Sequence, residues 1–232
     1  MKIGGLQKLT LIDYPGKIAA TVFTIGCNFS CPFCHNPELV DPLKIKEQPV
    51  IPENFFFDFL ESRKGMLEGV CVTGGEPVLQ KDLPEFIRKI KNLGFSVKLD
   101  TNGGNPEMLK KLIKEKLVDY FAMDIKGPLE KYQEIIRRKI DLGKIKKSIE
   151  LIKDSGIDYE FRTTILPEIH TKEDIIQITR DISPAKNYFL QQFRPGKTLE
   201  PSFEKEKPYS SEELAEICQA IRPYFNYCGV RE

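Results

Sequence analysis

The chain has 232 residues, with 35 Lys plus Arg against 34 Asp plus Glu and a formal net charge of +1. That balance offers no broad electrostatic attraction to nucleic acid or to an anionic membrane, and neither is expected as a partner. Hydrophobic residues make up 41% and charged residues 30%, an ordinary globular composition that excludes collagenous and disordered classes. No run of about 18 apolar residues occurs, so nothing reads as a membrane span. The opening Met1-Lys2-Ile3-Gly4-Gly5 lacks the apolar stretch of an export signal. A cytoplasmic protein, folded as a single domain over 1–232, is expected.

In chain order, short β-rich runs alternate with amphipathic patterns. Residues 18–25 are apolar and β-branched between Pro15-Gly16 and Gly26 and predict a strand. The same signals predict strands at 69–73, 95–99, 120–125, 158–165 and 188–193. Helical periodicity fills the intervals at 83–93, 106–117, 144–153, 171–181 and 210–221, the last two opening on polar residues of the N-cap type. Six βα units in succession require a parallel sheet, because each helix returns the chain to the same end. The chain is short for eight units at about 250 residues. The expected fold is therefore α/β, an open partial barrel of six units, with its active site at the C-terminal ends of the strands.

The unusual residues fall at those ends. The first strand is followed by a loop bearing Cys27, Cys31 and Cys34, the second by Gly74-Gly75-Glu76-Pro77, the third by Asp100-Thr101-Asn102-Gly103. Met123-Asp124-Ile125-Lys126 closes the fourth strand, Arg162 lies in the fifth, and Gln191, Gln192 and Arg194 end the sixth. Three thiolates spaced C-x3-C-x2-C suit an iron–sulfur cluster, leaving one iron of a cubane without a protein ligand. A zinc ion completed by His35 is the competing reading, although adjacent Cys34 and His35 are awkward partners on one tetrahedral ion. Two glycines allow a turn with φ > 0, and Glu76 beside them can accept from an ammonium group. Asp100 and Asp124, on successive strands, need a proton or a cation between them, or one of them acts as a general acid or base. Cys71 and Cys218 read as core residues, and His170 has no partner recognisable from sequence.

The cysteine triplet with Phe33 before its third member, followed by Gly-Gly-Glu-Pro, resembles the radical S-adenosylmethionine (SAM) superfamily. The resemblance implies a [4Fe-4S] cluster held by Cys27, Cys31 and Cys34. It implies SAM on the open iron, cleaved reductively to methionine and a 5′-deoxyadenosyl radical. SAM-binding positions follow at Phe33 (through its backbone), Gly74, Gly75, Glu76, Asp100, Asn102, Lys126, Arg162 and Arg194. The D-T-N-G and M-D-I-K strings resemble glycyl-radical-enzyme activases, which implies a monovalent cation, K+ or Na+, on Asp100, Thr101 and Asp124. The I-D-Y-P-G opening at 12–16 and the C-H-N-P-E-L string at 34–39 resemble the anaerobic ribonucleoside-triphosphate reductase activating proteins. A glycyl radical enzyme is then the expected partner, docking near 13–17 and 194–208, with flavodoxin or ferredoxin as electron donor. The eight-cysteine insert of some activases is absent. Alternatives are an activase of the pyruvate formate-lyase type, a radical SAM enzyme acting on a small molecule or tRNA base, and, remotely, a non-enzymatic zinc-binding module.

Overall fold

The computed structural model describes residues 1–231. In chain order its elements are β1 (Ile3–Thr10), β2 (Ala19–Thr24), α1 (Pro37–Val40), α2 (Pro42–Glu47), α3 (Glu53–Glu61), β3 (Gly69–Gly74), α4 (Leu83–Asn92), β4 (Ser96–Thr101), α5 (Pro106–Lys114), β5 (Tyr120–Asp124), α6 (Tyr132–Ile135), α7 (Leu142–Lys153), β6 (Asp158–Ile165), α8 (Lys172–Ile182), β7 (Ala185–Gln192), α9 (Ser211–Ile221) and β8 (Phe225–Arg231). The strands form one sheet in sequence order. β1 is antiparallel to β2, and every later pair is parallel. β1 and β8 do not pair with each other, so the sheet stays open.

Strands β2 to β7 are the six expected parallel strands. β1 and β8 extend the sheet beyond them, and sequence periodicity does not predict either. β1 has two glycines and an exposed Gln7-Lys8-Leu9 stretch, and β8 exposes Asn226 and Tyr227, so neither offers a continuous apolar run. The polar openings of α8 and α9 are capping boxes, Thr171 with Asp174 and Ser210 with Glu213. Each satisfies otherwise unpaired backbone donors of the first turn.

Alternation along the central strands divides the sheet into two unlike faces. Val97 and Leu99 of β4, Phe121 and Met123 of β5, and Tyr159 and Phe161 of β6 belong to the continuous apolar core. The alternate positions carry Lys98 and Asp100, then Tyr120, Ala122 and Asp124, then Glu160 and Arg162. Register sets Asp100 beside Ala122, Ala122 beside Glu160, and Asp124 beside Arg162. The second face is therefore ionic, and its charges are buried in pairs. Lys98, with 1% of its surface exposed, binds Asp100, while Arg231 of β8 clamps Glu160 with two bonds of 2.6 and 2.7 Å. Tyr120 donates to the same Glu160 carboxylate at 2.9 Å.

The outer edge of β1 is tied down. Ile3 bridges to Ile51, Gln48 Nε2 donates to Gly4 O at 2.7 Å, and the Met1 ammonium binds Glu53 at 2.8 Å and also Asp82.

Candidate active site

A cavity of about 220 Å3 lies at the C-terminal ends of β2 to β6. Cys27, Phe33, Gly75, Glu76, Asn102 and Lys126 line it, as do Cys31, Cys34, Gly74, Asp100, Thr101, Asp124 and Arg162. Sequence reasoning thus brought its candidates to one place, with one exception. Arg194 lies instead along a wider groove of about 900 Å3, with Ile12, Asp13, Gln191, Gln192 and Arg231. His35, Arg162 and Thr164 border both spaces, so the small cavity opens into the groove.

The cysteine loop is fixed from three directions. Ser30 N donates to Ile136 O at 2.9 Å, and Arg138 Nε donates to Ser30 Oγ at 3.0 Å. Leu199 N and Glu200 N donate to Cys34 O and Pro32 O, each at 2.9 Å. Asn102 Nδ2 donates to Asn28 Oδ1 at 2.9 Å, joining the loop to the end of β4. Burial pushes the Cys27 and Cys31 thiols up to about 12, and it raises Cys34 as well. Positive charge in the cavity is what would ionise them, as thiolate ligation of a metal requires.

The cavity suits a cluster better than a single zinc ion. Among the described residues no three His, Cys, Asp or Glu side chains converge where one ion could sit. Cys27, Cys31 and Cys34 nevertheless line one cavity, and an all-thiolate set is the donor chemistry of an iron–sulfur cluster. His35, at the border of the cavity, is also engaged elsewhere: its ring stacks on Phe193 with centroids 5.2 Å apart, and Nδ1 meets Lys197 O at 3.1 Å.

Gly74 and Gly75 are required by close backbone approach. Gly74 has φ +114°, and a Cβ there would lie 2.3 Å from Thr24 N; at Gly75 it would lie 2.2 Å from Gly26 O. The amides of Gly75 and Glu76 turn back to the end of β2 and the loop after it, with Gly75 N donating to Thr24 O and Glu76 N to Gly26 O. Glu76 is 1% exposed. Its Oε1 accepts from Thr101 Oγ1 at 2.8 Å and Val78 N at 3.2 Å, and its Oε2 accepts from Asn102 N at 2.6 Å. Burial nevertheless raises its carboxyl to about 7. Of the roughly four acceptor directions of a carboxylate, one on Oε2 is left for a further donor.

The expected monovalent cation meets a different arrangement. The Arg162 guanidinium lies between the two carboxylates, with Nη2 donating to Asp100 Oδ2 at 2.9 Å and Nε to Asp124 Oδ1 at 2.7 Å. Thr101 turns its hydroxyl to Glu76, away from any such ion. The positive charge that two close carboxylates demand is supplied by a side chain, and these residues do not fit K+ or Na+. Against the cost of burial, Arg162 and Lys98 hold the Asp100 carboxyl below its usual range. Arg162 and Lys126 do the same for Asp124. Lys126 Nζ stands 3.4 Å from Asp124, which keeps its ammonium charged despite burial.

His170 belongs to the site's support, although no sequence signal marks it. It is fully buried, Nε2–H donates to Lys126 O at 2.8 Å, and Nδ1 accepts from Leu166 N at 3.4 Å. Its ring meets Phe33 edge-on at 6.2 Å. Burial lowers its pKa, so the ring stays neutral. Cys71 is buried as expected, yet Lys98 Nζ lies 3.8 Å from its sulfur, so it faces the ionic side of the sheet.

The radical SAM superfamily profile matches residues 21–182, from β2 through α8. A Methanocaldococcus jannaschii protein provisionally named a glycyl-radical enzyme activating enzyme is 37% identical over 99% of this chain and 95% of its own length. The pyruvate formate-lyase-activating enzyme of Listeria monocytogenes is 35% identical over 54% of this chain and 53% of its own. In three dimensions the chain resembles Streptococcus suis SuiB bound to S-adenosylmethionine, with a TM-score of 0.69 and 14% identity; the match covers 90% of this chain and 48% of SuiB. The chain belongs to the radical SAM superfamily. It is an oxidoreductase whose family cofactors are a [4Fe-4S] cluster and SAM, on the partial-barrel fold that its neighbours share.

Proposed function

We propose that this protein is an activase that takes a hydrogen atom from a backbone glycine of a glycyl radical enzyme, with anaerobic ribonucleoside-triphosphate reductase as the partner. The observation that carries this reading is the small buried cavity opening into a groove of about 900 Å3. A protein loop needs such an approach, whereas a small metabolite is better served by an enclosed pocket. The full-length similarity to an activating enzyme supports the same class of partner.

In this reading Cys27, Cys31 and Cys34 hold the cluster, which with SAM supplies a one-electron cleavage that yields a hydrogen-abstracting species. The free acceptor direction of Glu76 takes the SAM ammonium, beside Gly74, Gly75 and Asn102. Lys126 and Arg162 face its carboxylate, and Phe33 lends its backbone to the adenine. Asp100 and Asp124 aim Arg162. Phe29, Phe33 and Val40 supply apolar wall to the cavity, which keeps water from a reactive centre. Ile12, Asp13 and Arg194, which line the groove, meet the partner loop. Flavodoxin or ferredoxin delivers the electron.

The test mixes the reduced, cluster-loaded protein, SAM and the reductase from the same organism. A glycine-centred doublet in electron paramagnetic resonance is expected, with deuterium from the glycine Cα passing into 5′-deoxyadenosine. Transfer of label from a small metabolite or RNA base, and from no glycyl radical enzyme, would overturn the partner assignment and leave the family untouched.

A further inference from the structure

Cys218 and Cys228 lie outside the cavity and outside the region that the superfamily profile matches. Sequence spacing does not couple them, because one sits on α9 and the other on β8. The fold brings their sulfurs to 3.1 Å, closer than an ordinary contact between two unbonded thiols. Cys218 is half-buried, whereas Cys228 is 8% exposed. Both belong to the C-terminal α9–β8 unit, whose strand carries Arg231, the partner of Glu160 and part of the groove wall.

We propose that Cys218 and Cys228 form an oxidisable pair, a reversible disulfide site separate from the cluster cysteines, which takes low-molecular-weight disulfides as its oxidant. The more exposed Cys218 thiolate attacks a sulfur of oxidised glutathione, releasing one glutathione thiolate and leaving a mixed disulfide. Cys228 then gives up its proton and attacks the Cys218 sulfur, and the second glutathione leaves. Two protein thiols become one disulfide as one glutathione disulfide becomes two thiols. The order follows from access, since the buried thiol cannot meet the oxidant first. The bond joins α9 to β8 and so pins the strand that presents Arg231 to the groove.

Peptide mapping tests the pair directly. Lys207 and Arg222 both precede proline and resist trypsin, so residues 206–231 leave as one peptide bearing both sulfurs. Cluster-loaded protein is equilibrated anaerobically with oxidised glutathione, alkylated, and digested. The expected peptide is unalkylated and lighter by two hydrogen atoms, with the cluster absorbance retained, and dithiothreitol restores alkylation at both sites. Cys228→Ser should stop at a stable glutathione adduct on Cys218, and Cys218→Ser should gain no adduct at all. Hydrogen exchange at β8 should slow in the oxidised wild type. A wild-type peptide alkylated at both cysteines, or one that keeps glutathione on Cys218, would overturn the proposal whether or not either variant folds.

Discussion

Replacing Arg162 by Gln would remove the positive charge between Asp100 and Asp124. Breaking a buried ion pair by deleting one partner costs about 3–5 kcal/mol. Here the lower end applies, because Lys98 still pairs with Asp100 and Lys126 stands 3.4 Å from Asp124. The expected loss is about 3 kcal/mol, a large share of the 5–15 kcal/mol that holds a typical domain together. For a chain of this size it would lower the melting temperature by about 6–12 °C. The pH dependence is more diagnostic. Both carboxyls are held below their ordinary value in the folded protein, so their contribution is present above an unfolded pKa of about 3.9 and is lost as pH falls. The gap between wild type and Arg162→Gln should be widest near neutrality and should shrink below about pH 4. Urea unfolding followed by circular dichroism, at matched cluster loading, measures it. Adding Asp124→Asn to Arg162→Gln should recover about 1–2 kcal/mol by removing the unpaired charge. A gap below about 0.5 kcal/mol at pH 7, or one that does not change with pH, would refute the ionic account of this face.

Cys27→Ser, Cys31→Ser and Cys34→Ser should each abolish cluster binding, and Cys71→Ala should preserve it; iron analysis of anaerobically purified protein decides, and intact iron in any of the first three would remove that ligand from the set. The Glu76 carboxyl is raised from 4.5 to about 7, so stability present below the unfolded pKa should fall by about 3 kcal/mol as pH rises from about 4.5 to 7. Glu76→Gln should flatten that slope in urea titrations, and an unchanged slope would place the shift elsewhere. Glu76→Ala should weaken SAM binding at least tenfold in calorimetry while iron content is maintained. His170→Phe removes the bond to Lys126 O, a part-buried carbonyl, at a cost of about 1 kcal/mol. A variant as stable as the wild type in urea would show that His170 only fills space.

The six central strands were legible because their apolar, β-branched runs end at Gly, Pro or polar clusters. The cavity was legible for a related reason: parallel strands bring their C-terminal ends together, so residues at the ends of β2 to β6 needed no further information to be neighbours, whereas Arg194 beyond β7 lies along the groove. What the chain did not disclose depends on contacts between distant residues. Lys98 and Glu160 look like surface charges in sequence, and only register turns them inward as partners of Asp100 and Arg231. Alternating charge within a buried strand was the available sign. The closeness of Asp100 and Asp124 was legible, and with it the need for a proton or a cation between them; that a guanidinium two strands away from Asp100 fills this place was not, because Arg162 reaches it across the small Ala122. His170 sits in a loop whose position is fixed by Tyr209, which donates from its hydroxyl to His170 O at 2.5 Å from 39 residues away.

The two edges of the open sheet have different mechanical standing. On the β1 side the Ile3–Ile51 bridge, the Gln48 bond and the Met1 ion pairs brace the strand from outside. On the β8 side no strand continues the ladder among the described residues, and the last strand is held by β7, α9 and the Arg231–Glu160 clamp. The two edges are therefore secured by different means, one by groups reaching in from outside the sheet and the other by the helix packed on it and an ion pair beneath it. A chain entering the groove passes between Ile12 and Asp13, which follow β1, and Arg231, which ends β8, so both margins of the sheet border the entrance.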